Sequence, residues 1–179
     1  MSRPAPRPID PDAPPCAPVV AWVALGSNVG DRAAHLAHAF EAIARVPGVQ
    51  RVRRSSVRET DPVGPPGQGP YLNAVAEVET TLAPRALLLA LLAIERERGR
   101  DRTQEVRFGP RTLDLDLLAW GDAVPGGPAA IDVPGLTVPH PRMHARAFVL
   151  EPLAELAPSV AHAAAAACVH CPTDPDART

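Results

Sequence analysis

Apolar positions recur along this chain with two different periods, and the places where the period changes divide it into elements. Val19–Leu25 is a short apolar run closed by Gly26-Ser-Asn-Val-Gly30, which predicts a strand followed by a loop. Asp31 then suits a helix cap. Leu36, Phe40 and Ile43 recur at helical spacing behind it, and Pro47-Gly48 ends the helix. Val49–Glu59 reads as a strand, and Pro62–Pro70 holds too many breakers for regular structure. In Leu72–Thr80 the residues Leu72, Ala74, Ala76 and Val78 alternate, the pattern of a half-buried strand. Pro84 opens a helix that runs to about Arg98, with Gly99 as its stop. A loop over Arg100–Pro110 leads into a strand over Thr112–Trp120, with Leu113, Leu115 and Leu117 on one face. A Gly/Pro stretch, the segment Leu136–His140, a helical turn around Arg142–Arg146 and then Ala147–Leu156 complete the pattern.

Two helices interleaved with about four main strands, and no internal repeat, predict an α+β fold. The expected architecture is a ferredoxin-like sandwich, a mostly antiparallel sheet with helices packed on it. Residues 1–18 are dense in proline and predict a disordered arm. Residues 19–160 form the expected folded domain, and 161–179 a low-information tail.

Composition then narrows this picture. The formal net charge of -2 gives no overall footprint for nucleic acid. All 18 basic residues are arginine, so a GxxxxGK[ST] phosphate loop is excluded for want of its lysine. Any phosphate must be held by arginine, metal ions and backbone amides, and guanidinium suits bidentate phosphate recognition. Three cysteines, an odd number, make no disulfide framework, and Cys168-Val-His-Cys171 lacks the second pair that structural zinc needs. No apolar run reaches the ~20 residues of a membrane span and no apolar leader is visible, so a soluble cytoplasmic protein is expected.

Asp114 and Asp116 lie at i and i+2 of a predicted strand, so both carboxylates project from one face. Two carboxylates aimed at one spot repel each other unless a hard cation such as Mg²⁺ sits between them. A solvated sheet face paired with arginines is the competing reading. Arg100, Arg102, Arg107 and Arg111 precede the pair in a Gly/Pro-punctuated loop. Cations beside metal-binding anions are what a metal–polyphosphate complex requires. His140 stands between Pro139 and Pro141, which fix its direction, with Arg142 and Arg146 close behind. Tyr71 and Phe148 are aromatics beside polar motifs, able to stack on a flat ring or simply to be buried, and Asn73 could offer an amide to a heterocycle.

In order, the chain carries Ala24-Leu-Gly-Ser-Asn-Val-Gly-Asp31, Glu59-Thr-Asp-Pro-Val-Gly64 and Tyr71-Leu-Asn-Ala74. Phe108-Gly-Pro-Arg-Thr-Leu-Asp-Leu-Asp116, Val138-Pro-His-Pro-Arg-Met143 and Arg146-Ala-Phe148 follow. Together these segments resemble the hydroxymethyl-dihydropterin pyrophosphokinase family from about Val20 to Pro158. The resemblance implies transfer of pyrophosphate from ATP to 6-hydroxymethyl-7,8-dihydropterin, with release of AMP, in folate biosynthesis. It implies two Mg²⁺ ions held by Asp114 and Asp116, and ATP bound by Glu95, Arg100, Arg102, Arg111, His140 and Arg146. Arg100 and Arg111, with the two aspartates, are the implied catalytic set. Tyr71 and Phe148 would sandwich the pterin, while Asn73 and the backbone of Thr60, Pro62 and Val63 would read its polar edge. The expected partners are these two small molecules, with no nucleic acid or membrane, and a monomer. Phe108 stands where some members have Trp, and Pro141 where some have Tyr.

Two other readings compete. A metal-dependent nuclease or phosphohydrolase would need a water-activating base or further acidic ligands, and none stands near Asp116 in the sequence. An RNA-binding ferredoxin-like module would need a basic sheet face, where this chain places Asp114 and Asp116.

Overall fold

The computed structural model describes residues 5–62, 66–100 and 109–167. Its strands are β1 (Arg7–Pro8), β2 (Val19–Ser27), β3 (Val49–Arg54), β4 (Arg58–Thr60), β5 (Tyr71–Thr80), β6 (Asp114–Trp120), β7 (Ala129–Val133) and β8 (Leu136–Val138). The helices are α1 (Arg32–Arg45), α2 (Pro84–Glu97), α3 (Ala147–Leu156) and α4 (Pro158–Ala167), with a 3-10 turn at Met143–Ala145.

Strand β2 is at the centre. It pairs antiparallel with β5 on one side and β6 on the other, and β3 and β4 both pair antiparallel with β5. The α+β, mainly antiparallel architecture expected from the alternating periods is the one present. Ala21, Val23 and Leu25 of β2 face the same way as Ala76 and Val78 of β5 and Leu115 of β6. Leu36, Phe40 and Ile43 of α1 and Leu87, Leu91 and Ile94 of α2 cover that face. Asp31 caps α1 as its pattern requires, its carboxylate accepting the Ala34 N–H at 3.0 Å.

The half-buried expectation for Leu72–Thr80 is corrected, because the opposite face of the sheet is covered as well. Val75 and Leu118 pack there against Met143, Val149 and Leu153, with Ala157, Ala161 and Ala164 behind them. The alternation shows only one apolar set, and the second appears when α3 and α4 fold back over β5. This second layer is centred on Val75 and Leu118.

Three further expectations differ from the structure. Val49–Glu59 is two strands, interrupted at Ser55–Val57. Ser55 bridges the gap by exchanging hydrogen bonds with Val75, its N–H donating at 3.0 Å and its hydroxyl accepting at 2.9 Å. The proline-dense arm, from residue 5 onward, is docked rather than disordered. Its β1 pairs parallel with β7, Ile9 packs on the main core, and the Asp12 carboxylate meets Arg85 Nε at 2.9 Å. Proline bars only its own N–H from a ladder, and here Arg7 and Ile9 supply the N–H groups, donating to Pro128 and Ala130. Part of the supposed C-terminal tail likewise belongs to α4, where Ala161 and Ala164 are buried. Cys168 and Cys171 lie outside the described residues.

Candidate active site

Strand register assembles the site. Asn73 of β5 lies opposite Gly26 of β2, and Gly26 lies opposite Asp114 of β6. Residues directly opposite in a sheet share a face, so this row carries an amide, a bare glycine and a carboxylate side by side. A Cβ built on Gly26 would stand 3.4 Å from Asn73 Oδ1, 3.7 Å from Tyr71 Cδ1 and 3.8 Å from Asp114 Cβ. The glycine is therefore the floor of a recess walled by three of the candidate side chains. Asn73 is held in place by donating its amide N–H to Thr60 Oγ1 at 2.8 Å, and Tyr71 Oη reaches the Gly109 carbonyl at 3.4 Å.

The acidic and basic groups form one continuous network. Asp114 accepts from Arg100 at 2.5 Å on one carboxylate oxygen and from Arg111 at 2.7 Å on the other. Burial pushes the Asp114 carboxyl up, but the charges and hydrogen bonds of Arg111 and Arg100 outweigh it, so its pKa lies below the ordinary carboxylate value. Arg100 also donates to the Leu113 carbonyl at 3.2 Å and pairs with Glu95. Glu95 is 1% exposed and takes the Leu115 N–H at 2.7 Å. It thus sits beneath Asp114 as a brace joining α2, Arg100 and the backbone of β6. A buried acid in such a place persists because it is fully paired.

Asp116, one pleat further along, faces the other basic cluster. Arg146 Nη1 lies 3.3 Å from its Oδ2 and His140 Nε2 lies 3.8 Å away. His140 hangs from β6 by its own N–H, which donates to the Leu118 carbonyl at 2.8 Å, and its Nδ1 accepts from the Arg142 N–H at 3.2 Å. That bond leaves Nε2 to carry the proton in the neutral ring. Burial lowers the His140 pKa, and the nearby Arg146 and Arg142 add to this against the opposing pull of Asp116. The Arg146 guanidinium lies over the Phe148 ring, 5.6 Å from its centre, at the start of α3.

The structure therefore brings together Tyr71, Asn73, Thr60, Arg100, Arg111, Asp114, Asp116, His140, Arg146 and Phe148 around one sheet face, with Glu95 behind it. Pro62 lies two residues beyond the end of β4. Val63, Arg102, Arg107 and Phe108 lie outside the described residues. Asn28 was not singled out from the sequence. Its Oδ1 accepts the Arg111 N–H at 2.7 Å, its own N–H donates to the Arg111 carbonyl at 3.0 Å, and its amide donates to Gln68 at 3.1 Å. The buried hydroxyl of Ser27 adds a 2.5 Å bond to the Thr112 carbonyl. The signal for both was the Gly26-Ser-Asn-Val-Gly30 loop, whose short polar residues are the kind that bond to backbone.

Asp114 and Asp116 offer hard oxygen donors on one face, a set that fits Mg²⁺, which commonly takes one or two carboxylates and completes its shell with water and phosphate. Among the described residues no group of three or more His, Cys, Asp or Glu could hold a metal alone.

The sequence profile of the 7,8-dihydro-6-hydroxymethylpterin-pyrophosphokinase (HPPK) family matches residues 22–158. The chain belongs to this family. An HPPK relative from Pseudomonas aeruginosa, 2-amino-4-hydroxy-6-hydroxymethyldihydropteridine pyrophosphokinase, is 47% identical over 78% of this chain and 81% of its own. The Bacillus subtilis protein of the same name is 45% identical over 79% of this chain and 80% of its own. That of Haemophilus influenzae is 42% identical over 78% and 82%. Among solved structures, an HPPK-DHPS crystallised in complex with substrates has a TM-score of 0.59 at 11% identity. It covers 85% of this chain and 44% of that one, and it supports the fold. The profile's span includes every candidate site residue and leaves out the docked arm.

Proposed function

We propose that this HPPK-family chain transfers pyrophosphate from ATP to 6-hydroxymethyl-7,8-dihydropterin, releasing AMP, as a step in folate biosynthesis. The hydroxymethyl oxygen attacks the β-phosphorus in line. The bond from that phosphorus to the α–β bridging oxygen breaks, AMP leaves with the bridging oxygen, and the hydroxyl proton passes to solvent. Magnesium, when bound at Asp114 and Asp116, would supply charge neutralisation for the triphosphate.

The chain's own residues do the positioning. Gly26, Tyr71 and Asn73 offer a flat floor and an amide edge for the pterin, and Phe148 a second aromatic face. Arg100, Arg111 and Arg146 are each already paired with an aspartate. A magnesium triphosphate can enter between these opposite charges, giving the guanidiniums phosphate oxygens and the carboxylates a cation. The exchange keeps every buried charge compensated. Arg102, from the same loop, is proposed to join the phosphate clamp, and His140 to meet the nucleotide with its Nε2 proton. The backbone of Thr60, Pro62 and Val63 is proposed to read the ring's polar edge. No helix among the described residues is long and apolar enough to cross a membrane; we take the protein to act in the cytoplasm as a monomer.

The observation that carries this reading is the single row Asn73–Gly26–Asp114, which joins a heterocycle recess to a carboxylate–arginine network. Asp116→Ala removes one metal-facing carboxylate from a partly exposed position. It should lower kcat by a hundredfold or more, on the order of losing one preorganised electrostatic group, with the circular dichroism spectrum unchanged. The assay is AMP release dependent on added hydroxymethyl-dihydropterin, and near-normal turnover in Asp116→Ala would exclude the two-aspartate metal assignment.

A further inference from the structure

The interruption between β3 and β4 has a use. Because Ser55 alone repairs the ladder to β5, Ser56 turns its N–H and hydroxyl away from the sheet. Both go to Glu155 near the end of α3, the N–H to Oε2 at 2.7 Å and the hydroxyl to Oε1 at 2.5 Å. Arg58, two residues on, donates to the same Oε1 at 3.1 Å and reaches Glu151, one turn back along α3, at 3.4 Å. Those two Ser56 hydrogen bonds, aided by Arg58, hold the Glu155 carboxyl below the ordinary glutamate value.

An exposed ion pair contributes little stability by itself. A carboxylate with both oxygens engaged by a backbone amide, a hydroxyl and a guanidinium does something else: it fixes direction. The two bodies it joins carry the groups proposed above for the two sides of the ring recess. Arg58 lies opposite Asn73 in the strand register, and Thr60, which holds the Asn73 amide, is two residues further along β4. Helix α3 begins beside Arg146 and carries Phe148 in its first turn.

We infer that Ser56, Arg58 and Glu155 form a clamp that sets the separation of α3 from β4, and thereby positions Phe148 for the pterin. These are positioning residues, and none is placed in contact with substrate. The inference rests on the pterin reading above and assigns the pocket's width to a surface contact outside it.

The test uses the full chain with Glu155→Ala, Glu155→Gln and Arg58→Ala, each assayed for kcat, KM for hydroxymethyl-dihydropterin, KM for ATP, and Tm. Glu155→Ala should raise the pterin KM by roughly tenfold to a hundredfold, the range that a small displacement of a positioning element produces, with kcat and the ATP KM unchanged. Glu155→Gln keeps an acceptor for Ser56 and should recover much of that loss. Arg58→Ala, which leaves the Ser56 bonds, should lose less than Glu155→Ala. An unchanged pterin KM in Glu155→Ala would overturn the clamp. So would a parallel rise in both KM values with a fall in Tm, or a Gln variant no better than the Ala variant. Absence of pterin-dependent AMP release in the unsubstituted protein would instead overturn the functional reading, and the clamp with it.

Discussion

Gly26 shows how much a missing side chain can decide. It sits between Asn73 and Asp114 at a place where a methyl group would make ordinary van der Waals contacts, the shortest being 3.4 Å. The fold can therefore tolerate alanine, but the recess cannot keep its floor. Gly26→Ala should leave the Tm within a few degrees of wild type and raise the pterin KM by about a hundredfold, the cost of displacing a reactant by about 1 Å. Equal pterin KM values in the two proteins would show that the ring does not lie on this floor. Glu95 is the opposite case, a side chain whose meaning depends wholly on what surrounds it. In the sequence it is one of several charges near the end of an amphipathic helix. Only the packing of α2 on β6 reveals it as a buried brace for Arg100, so the family resemblance named the residue and the structure supplied its neighbours.

At the scale of elements, His35 links α1 to the end of α2 by accepting from Arg98 Nε on its Nδ1 at 2.9 Å. The acceptor must be unprotonated. Burial and the adjacent Arg98, with a smaller push from His38, lower the His35 pKa from its ordinary 6.5 against the opposing charge of Asp31. The unfolded chain then takes up this proton before the folded one does. The contribution of His35 to stability is present above about pH 6.5 and is lost as the pH falls towards the folded-state pKa. The urea midpoint should drop between about pH 7.5 and pH 5.5, across the ordinary histidine range, and drop less in His35→Gln. Identical slopes in the two proteins would refute the assignment. Elements whose signals are local were legible beforehand: β6 by its leucine alternation, α1 by its Asp31 cap, and α2 by Pro84 and Gly99. The break at Ser55–Val57 was not, because a serine hydroxyl standing in for a backbone acceptor leaves no mark in hydropathy. Helix α3 was also unread, since it is apolar on much of its surface and holds Pro152, which a periodicity argument reads as a breaker.

Across the whole molecule, the arm and the site are separate concerns. The family match begins at residue 22, yet residues 5–18 of this chain are tied to β7 and α2. Composition hides such docking, because adding a strand depends on the edge it joins and not on the arm's own propensity. Deleting residues 1–15 should destabilise the protein by about 2 kcal/mol, chiefly through loss of the Ile9 contact, with kcat and both KM values kept. Denaturant midpoints and steady-state kinetics check both halves of that statement, and a collapse in activity at full stability would contradict it. Much of the candidate site could be named from the sequence as a set of residues. What was missing was the strand register, a long-range property that decides which of them share a face.

The sheet separates two apolar clusters, one under α1 and α2 and a smaller one under α3 and α4. Clusters divided in this way can open independently, the smaller at lower free energy. Amides of α3 and α4 should therefore exchange with deuterated solvent faster than those of α1, although all four helices are packed. Since Phe148 and Arg146 stand at the head of α3, binding of a nucleotide analogue and pterin should slow exchange in that layer and leave α1 unaltered. Uniform protection of both layers would show a single cooperative unit. The thinner side of the sheet would then be where the protein stores its freedom to move, and ligand affinity would report on the order of that layer as well as on the contacts made.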